Sequence, residues 1–236
     1  GWTTSWGVST RLVGTLIMAH GDDDGVILPP RVAPTQVVIL PIVPKEEVRE
    51  EVWSAADALA HALQNEMYCG QPVRVEVDKR EMQGGAKNWE WIKKGVPVRI
   101  EIGPRDIEKG TVAVVRRDTP PKEKQFLGRE EALSGMAKIL GDIQQSLLER
   151  ATSLREEHSR KIDSMDDFVA YFTAENSDKP EIHGGFALCH WAGSNEDEEK
   201  LAKDYKVTIR CIPNNEEFIE EGSCILTGKP SGQRVI

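Results

Sequence analysis

Between Thr35 and Arg117 the chain alternates short apolar runs with stretches of helical spacing, and this alternation constrains the fold more than any other feature. Residues 35–43 (TQVVILPIV) form an apolar run of strand length, which reads as a buried strand. Residues 45–64 follow with Val48, Val52, Ala55, Ala56, Leu59 and Leu63 on one helical face. The pattern then predicts a strand at 73–77, a glycine-bounded helix at 84–95 and a strand at 96–102. A turn at Gly103-Pro104 and a further strand at 110–117 complete it. Strands separated by helices of this length need crossover connections, so the expectation is a mostly parallel sheet covered by helices. This α/β domain is assigned to residues 35–125.

The flanks have a different texture. Within residues 1–34, Ser9 is placed to cap a helix over 10–19 that carries Leu12, Leu16 and Ile17 on one face, with His20 at its end and Gly21 as the stop. GDDDG is a turn, and Pro29, Pro30 and Pro34 make an extended connector. Beyond the α/β domain a long helix is expected over 129–161, striped by Leu133, Met136, Ile139, Leu140, Ile143, Leu147, Ala151 and Leu154. Gly135 and Gly141 interrupt the stripe, which favours packing against other domains over a continuous coiled coil. A short helix at 165–172, a strand at 185–190, an acidic helix at 195–204, a strand at 207–212 and a tail around Cys224 follow. Together with the long helix they are assigned to a small α+β domain, residues 126–236.

Charge narrows the function. A net charge of -9 over 236 residues argues against a general polyanion binder. The balance is uneven: acidic residues concentrate at 46–51, 163–167, 195–199 and 215–221, and basic ones gather between Lys79 and Lys124. No apolar run approaches the length needed to cross a bilayer. The chain opens on Gly1 without a basic-then-apolar leader, so it reads as cytoplasmic and as a piece of something longer. Cys69, Cys189, Cys211 and Cys224 are widely and irregularly spaced, and read as free thiols or remnants of a metal site rather than as disulfides.

Residues 3–14, TTSWGVSTRLVG, carry the first candidate chemistry. A helix N-terminus offers free N–H groups and the positive end of the macrodipole, both suited to an anion. Arg11 adds a guanidinium able to grip a phosphate with two hydrogen bonds, and Gly7 admits a ligand close to the backbone. The same residues also fit a capped helix with an exposed arginine.

The stretch TSWGVSTRLVGTLIMAHGDDDGVILPPRVAPTQVVILPI resembles the motif 3 region of a class II prolyl-tRNA synthetase of the archaeal/eukaryote-like type, at its junction with the anticodon-binding domain. The resemblance continues through KGVPVRIEIGPRD, LREEHSRKID, GFALCHWAG, TIRCIP and GSCILTGKP, so it spans the chain in order. It implies the end of a class II catalytic domain at 1–34, then a mixed-sheet anticodon-binding domain and a C-terminal domain. It implies that Arg11 contacts the ATP γ-phosphate and that Ser5, Trp6 and Gly7 wall the pocket for proline and its adenylate. Electrostatic preorganisation of this kind stabilises a phosphoryl centre and its leaving group. Motifs 1 and 2 are absent, so the piece is expected to be inactive alone.

The resemblance further implies that Arg99, Arg105 and Asp106, with Asn88 and Lys122 as weaker candidates, face the guanines of the proline anticodon. Arginine suits guanine O6 and N7, and a carboxylate suits guanine N1 and N2. Without the resemblance, Arg99 and Arg105 read as solvated strand-edge charges. Where the family favours glutamate this chain has Ile92, after Trp91. Trp89 and Trp91, two apart on a helix, are expected to divide between the core and the surface.

Many relatives hold a zinc through four cysteines, at positions that here are Ala192, Asp197, Cys224 and Thr227. Only Cys224 is retained, so no structural zinc is expected, even with His183, Cys189 and His190 nearby. The implied reaction is ATP-dependent ligation of proline to its tRNA, with Mg, by a full-length homodimer away from membranes. The alternatives are a stand-alone RNA-binding module without catalysis, and an α/β scaffold that binds no nucleic acid.

Overall fold

The computed structural model of the chain describes residues 1–173 and 185–236, in two units, Gly1–Ala151 and Thr152–Ile236. In the first unit β1 (Val37–Pro41) lies between β2 (Val75–Val77) and β3 (Val98–Ile102), and all three run parallel. The helices α2 (Arg49–Gln64) and α3 (Gly84–Lys93) make the two crossovers. After β3 the rule changes. Only the six-residue helix α4 (Pro104–Lys109) precedes β4 (Thr111–Arg116), too little chain to return for a parallel pairing. β4 therefore pairs antiparallel with β3, and β5 (Gln125–Gly128) antiparallel with β4. The resulting order, β2-β1-β3-β4-β5, is a mixed α/β sheet.

Gly103-Pro104, expected as a turn, begins α4 instead. Proline fits the first helical position, where its missing N–H costs nothing. The Asp106 carboxylate accepts the Gly103 N–H at 2.9 Å and closes the helix start.

One sheet face presents Val37, Ile39, Val98, Ile100 and Ile102 to Ala56, Leu59 and Leu63 of α2. The same core takes in Ala132, Met136, Leu140, Ile143 and Leu147 of the long helix α5 (Arg129–Glu157). Two polar ties reinforce it: the Tyr68 hydroxyl donates to the Leu140 carbonyl, and the Arg31 N–H donates to Gln144 Oε1 at 3.1 Å. The domain boundary at 125 is thus displaced. β5 extends the sheet and α5 seals its face, so the stripe Met136–Leu140–Ile143–Leu147 finds its partner upstream, and the first unit runs to Ala151. The opposite face buries Val38 and Leu40 under Trp91 of α3, with Val96.

Ahead of the sheet, α1 (Arg11–His20) begins after Thr10. Ser9, the expected cap, accepts only a long hydrogen bond, 3.4 Å, from the Arg11 N–H. No residue of α1 is buried, and Leu12, Val13, Ile17 and Met18 are all at least half exposed. The turn after α1 is bolted to the sheet domain. Arg117, itself buried, donates to both oxygens of Asp22 at 2.6 Å and to the Ile92 carbonyl at 3.1 Å. Gly25 sits at φ 138°, and a Cβ there would lie 2.9 Å from the Lys93 Cα. That position needs glycine on both counts.

In the second unit β7 (Phe186–His190) pairs parallel with β6 (Ser159–Lys161) and antiparallel with β8 (Arg234–Val235). The expected helix to 161 stops at Glu157 because 159–161 joins this sheet. Ile162, Phe168 of α6 (Met165–Phe172), Cys189 and Leu201 of α7 (Asn195–Tyr205) form its core. The strand expected at 207–212 does not form. That segment instead holds the chain end, with Arg210 N–H donating to the Ile236 carbonyl at 2.6 Å and Ile236 N–H to the Cys211 carbonyl at 3.1 Å.

Candidate nucleic-acid interface

The chain leaves β1 through α2 towards one side of the sheet, then crosses back through α3 to the other. The order β2-β1-β3 therefore reverses at β1, and a crevice opens beyond the carboxyl ends of the parallel strands, the usual ligand position in such sheets. A cavity of about 750 Å³ occupies that place. Ile42 and Trp53 form part of its apolar lining, and Arg49, Lys87, Asn88 and Glu101 bring polar atoms to it.

Side chains alternate along β3, so Arg99 and Glu101 share the face covered by α3. Asn88 of α3 reaches down to them, its Nδ2 donating to Glu101 Oε1 at 3.3 Å. Lys124, just ahead of β5, donates to Glu101 Oε2 at 2.5 Å. Three atoms here are buried and lack a hydrogen-bond partner among the described residues: Asn88 Oδ1, Arg99 Nε and Arg99 Nη1. Arg99 is only 1% exposed, so the reading of it as a solvated strand-edge charge is overturned: β3 lies third of five strands. Burial, and secondarily the charge of Arg117, push its guanidinium down to about 10, opposed by Glu101. A buried polar group without a partner costs free energy, so these orphaned donors and acceptor mark where a further polar partner would be stabilising.

One wall of the cavity is set by Asp78, which follows β2 and is 3% exposed. Its Oδ2 accepts from Trp91 Nε1 at 2.7 Å and from Arg80 at 2.8 Å, and its main-chain carbonyl accepts from Lys87 Nζ at 3.1 Å. Burial alone would raise its pKa. The bonds from Arg80 and Trp91, with the Lys87 charge, outweigh that and hold it well below the usual carboxylate range. This hub orients α3 over the sheet. It also settles the two tryptophans: Trp91 is buried, and Trp89 remains 42% exposed beside Lys93.

The remaining sequence-derived candidates are dispersed. Arg105 is exposed on α4, Asp106 commits an oxygen to the α4 cap, and Lys122 is exposed in the turn before β5. None of the three lines the cavity, and neither does the buried Arg99; of the sequence-derived candidates Asn88 alone is in its lining. Sequence reasoning misses Glu101, Lys124 and Asp78, because only strand pairing and helix placement bring Glu101 and Lys124 to Asn88, and Asp78 to Lys87 and Trp91. Ser5, Trp6, Gly7 and Arg11 lie along one exposed stretch leading into α1.

In the second unit Cys224 is buried, and its sulfur accepts the Thr227 N–H at 3.5 Å. Burial would raise this thiol; bonds from Thr227, Ala192 and Leu226 together bring it below its ordinary value. Asp197 caps α7, accepting the Ser194 N–H at 2.9 Å. No three His, Cys, Asp or Glu side chains converge on a metal position among the described residues, and His183 lies outside them. No described helix is long and apolar enough to cross a membrane.

Comparison with known proteins agrees with this architecture. Residues 36–139 match the anticodon binding domain family, and residues 178–236 match the family described as prolyl-tRNA synthetase, C-terminal. Proline–tRNA ligase 2 of Anaeromyxobacter dehalogenans is 52% identical over all of this chain and 46% of its own length. The proline–tRNA ligase of Protochlamydia amoebophila is 49% identical over 97% of this chain and 45% of its own length. The crystal structure of prolyl-tRNA synthetase from Cryptosporidium parvum, complexed with L-proline and AMP, superposes with a TM-score of 0.82 at 32% identity. That superposition covers 96% of this chain and 44% of the other. The chain thus spans about half the length of the relatives it matches.

Proposed function

From the premise that this chain belongs to the prolyl-tRNA synthetase family, as the C-terminal part of such an enzyme, we propose that it selects tRNA for an ATP-dependent ligase joining proline to its tRNA. The α/β domain receives unpaired anticodon bases in the cavity at the ends of β1 and β3. The observation that carries this reading is the trio of buried, orphaned atoms, Asn88 Oδ1, Arg99 Nε and Arg99 Nη1, on the α3 face of the sheet, where Asn88 and Glu101 line the cavity and Arg99 lies buried on the same face of β3 as Glu101. A guanine edge offers acceptors at O6 and N7 for the guanidinium and donors at N1 and N2 for the amide oxygen or for Glu101. Arg105 and Lys122 are exposed to meet backbone phosphates, and Asp106 holds α4 in place.

In the same reading Arg11 contacts the ATP γ-phosphate, with Mg present, and Ser5, Trp6 and Gly7 complete the adenylate pocket. The exposed apolar side chains of α1 are consistent with a helix that packs against the other half of the enzyme. That enzyme works as a cytoplasmic homodimer, and its C-terminal domain folds without zinc. The test is titration of this chain with an anticodon stem–loop of proline tRNA, at several salt concentrations. Binding is expected to weaken with salt and to exceed binding of a stem–loop lacking the two guanines. Asn88→Ala is expected to reduce that preference at least tenfold; equal binding of both RNAs by the native chain would reject the proposal.

A further inference from the structure

Trp53 is the one large aromatic side chain of α2, and the core does not take it up. Its neighbours Val52, Ala56, Leu59, Ala60 and Leu63 are buried against the sheet, whereas Trp53 is half-buried and lines the cavity. Helical spacing puts Arg49, Trp53 and Asp57 in one row. The Arg49 guanidinium lies 5.3 Å and the Lys79 ammonium 5.5 Å from the ring centroid. Both cations are paired, Arg49 with Glu46 at 2.6 Å and Glu81 at 3.0 Å, and Lys79 with Asp57 at 2.6 Å. Ile42 and Met82, 45% and 39% exposed, extend the apolar rim beside it.

An aromatic ring at the edge of a cavity is a surface on which an unpaired base can stack; here Arg49 and Lys79 lie over the ring, held by exposed carboxylates, and a base takes the place of one of these mobile side chains at small cost. We propose that Trp53 stacks one unpaired base of the anticodon loop, next to the bases whose edges meet Asn88 and Glu101. The proposal rests on the anticodon-reading function above and adds a division of labour to it. Every base has a π face, so Trp53 contributes affinity without regard to base identity. The orphaned donors and acceptor under α3 contribute the choice between bases.

The test titrates this chain with the proline anticodon stem–loop and with the same stem–loop lacking its two guanines, reading affinity and tryptophan emission. Trp53→Ala is expected to weaken both RNAs by a common factor of about 5 to 150 and to leave their ratio unchanged. Trp53→Phe, which keeps a ring, is expected to bind within a few-fold of the native chain. RNA-induced quenching of the native emission should diminish in Trp53→Phe. Trp53→Phe should melt close to the native temperature, and Trp53→Ala, which loses a partly buried ring, is titrated at a temperature where its own melting curve shows it folded. Native-like affinity in Trp53→Ala, or a changed ratio between the two RNAs, overturns the stacking role. If Asn88→Ala still reduces the preference at least tenfold in that case, anticodon reading survives and stacking alone falls. Failure of the native chain to bind either RNA overturns both.

Discussion

Leu140→Ala, in the middle of the long helix, is expected to loosen the five-stranded sheet and to spare the small sheet of the second unit. Leu140 is fully buried, as are Met136, Ile143 and Leu147 along the same stripe and Ile100 in the sheet core. Neighbours packed this closely on a rigid sheet relax little into the space left by three lost carbons and a methyl-lined void. The cost then falls in the range for buried leucine truncation, about 3 kcal/mol. Native-state amide exchange followed by mass spectrometry reads it region by region. The slowest amides of Val98–Ile102 should exchange about 150-fold faster, since each 1.4 kcal/mol is a factor of ten. Those of Phe186–His190 should stay within about twofold of native. The reasoning is refuted if 186–190 accelerates while 98–102 does not, because that outcome would put the helix with the C-terminal domain, as the boundary at 125 has it.

Four further outcomes follow from the geometry. Arg99→Met is expected to raise stability by about 1–3 kcal/mol in urea denaturation, by removing a buried and incompletely paired charge, while weakening binding of the proline stem–loop; a stability loss would mean that Arg99 is better satisfied than its contacts indicate. Asp78 has a lowered pKa, so its contribution to stability is present above the unfolded carboxylate value, about 3.9, and is lost as pH falls further towards the folded value; Asp78→Asn should flatten the acid limb of a melting-temperature profile below about pH 4. Gly25→Ala should cost about 1–3 kcal/mol, from positive φ and the backbone of Lys93, read as a lowered melting temperature. Dialysis against a chelator should leave the melting temperature of the chain unchanged, with metal analysis below one zinc per ten chains, on the order expected of a folded domain without a structural site.

Much of this molecule is readable residue by residue. The strands at Val37–Pro41 and Val98–Ile102, the helices Arg49–Gln64 and Met165–Phe172, and the division of Trp89 and Trp91 between surface and core follow from apolar runs and periods; that Trp91 is the buried one does not. These are properties of neighbours two to four positions apart, so a single segment contains them. The order of the family-like segments likewise pointed to an anticodon-binding domain.

Other features depend on which segments meet. The stripe of α5 declares a helix with one apolar face; that the face closes the α/β sheet is decided by the area that sheet leaves uncovered. Arg99 is one arginine in an apolar run, and its burial follows from β3 lying between β1 and β4. Glu101, Lys124 and Asn88 lie as far as 36 residues apart in sequence, and Trp53 lies beyond them on another helix. Local pattern carries most of the elements and the family likeness, although 207–212 forms no strand and Pro104–Lys109 is a helix. Which polar atoms are left buried without partners, and which aromatic ring faces the cavity, emerges only when the segments meet. Burial and pairing are set by contacts between distant segments, and local periodicity carries no record of those.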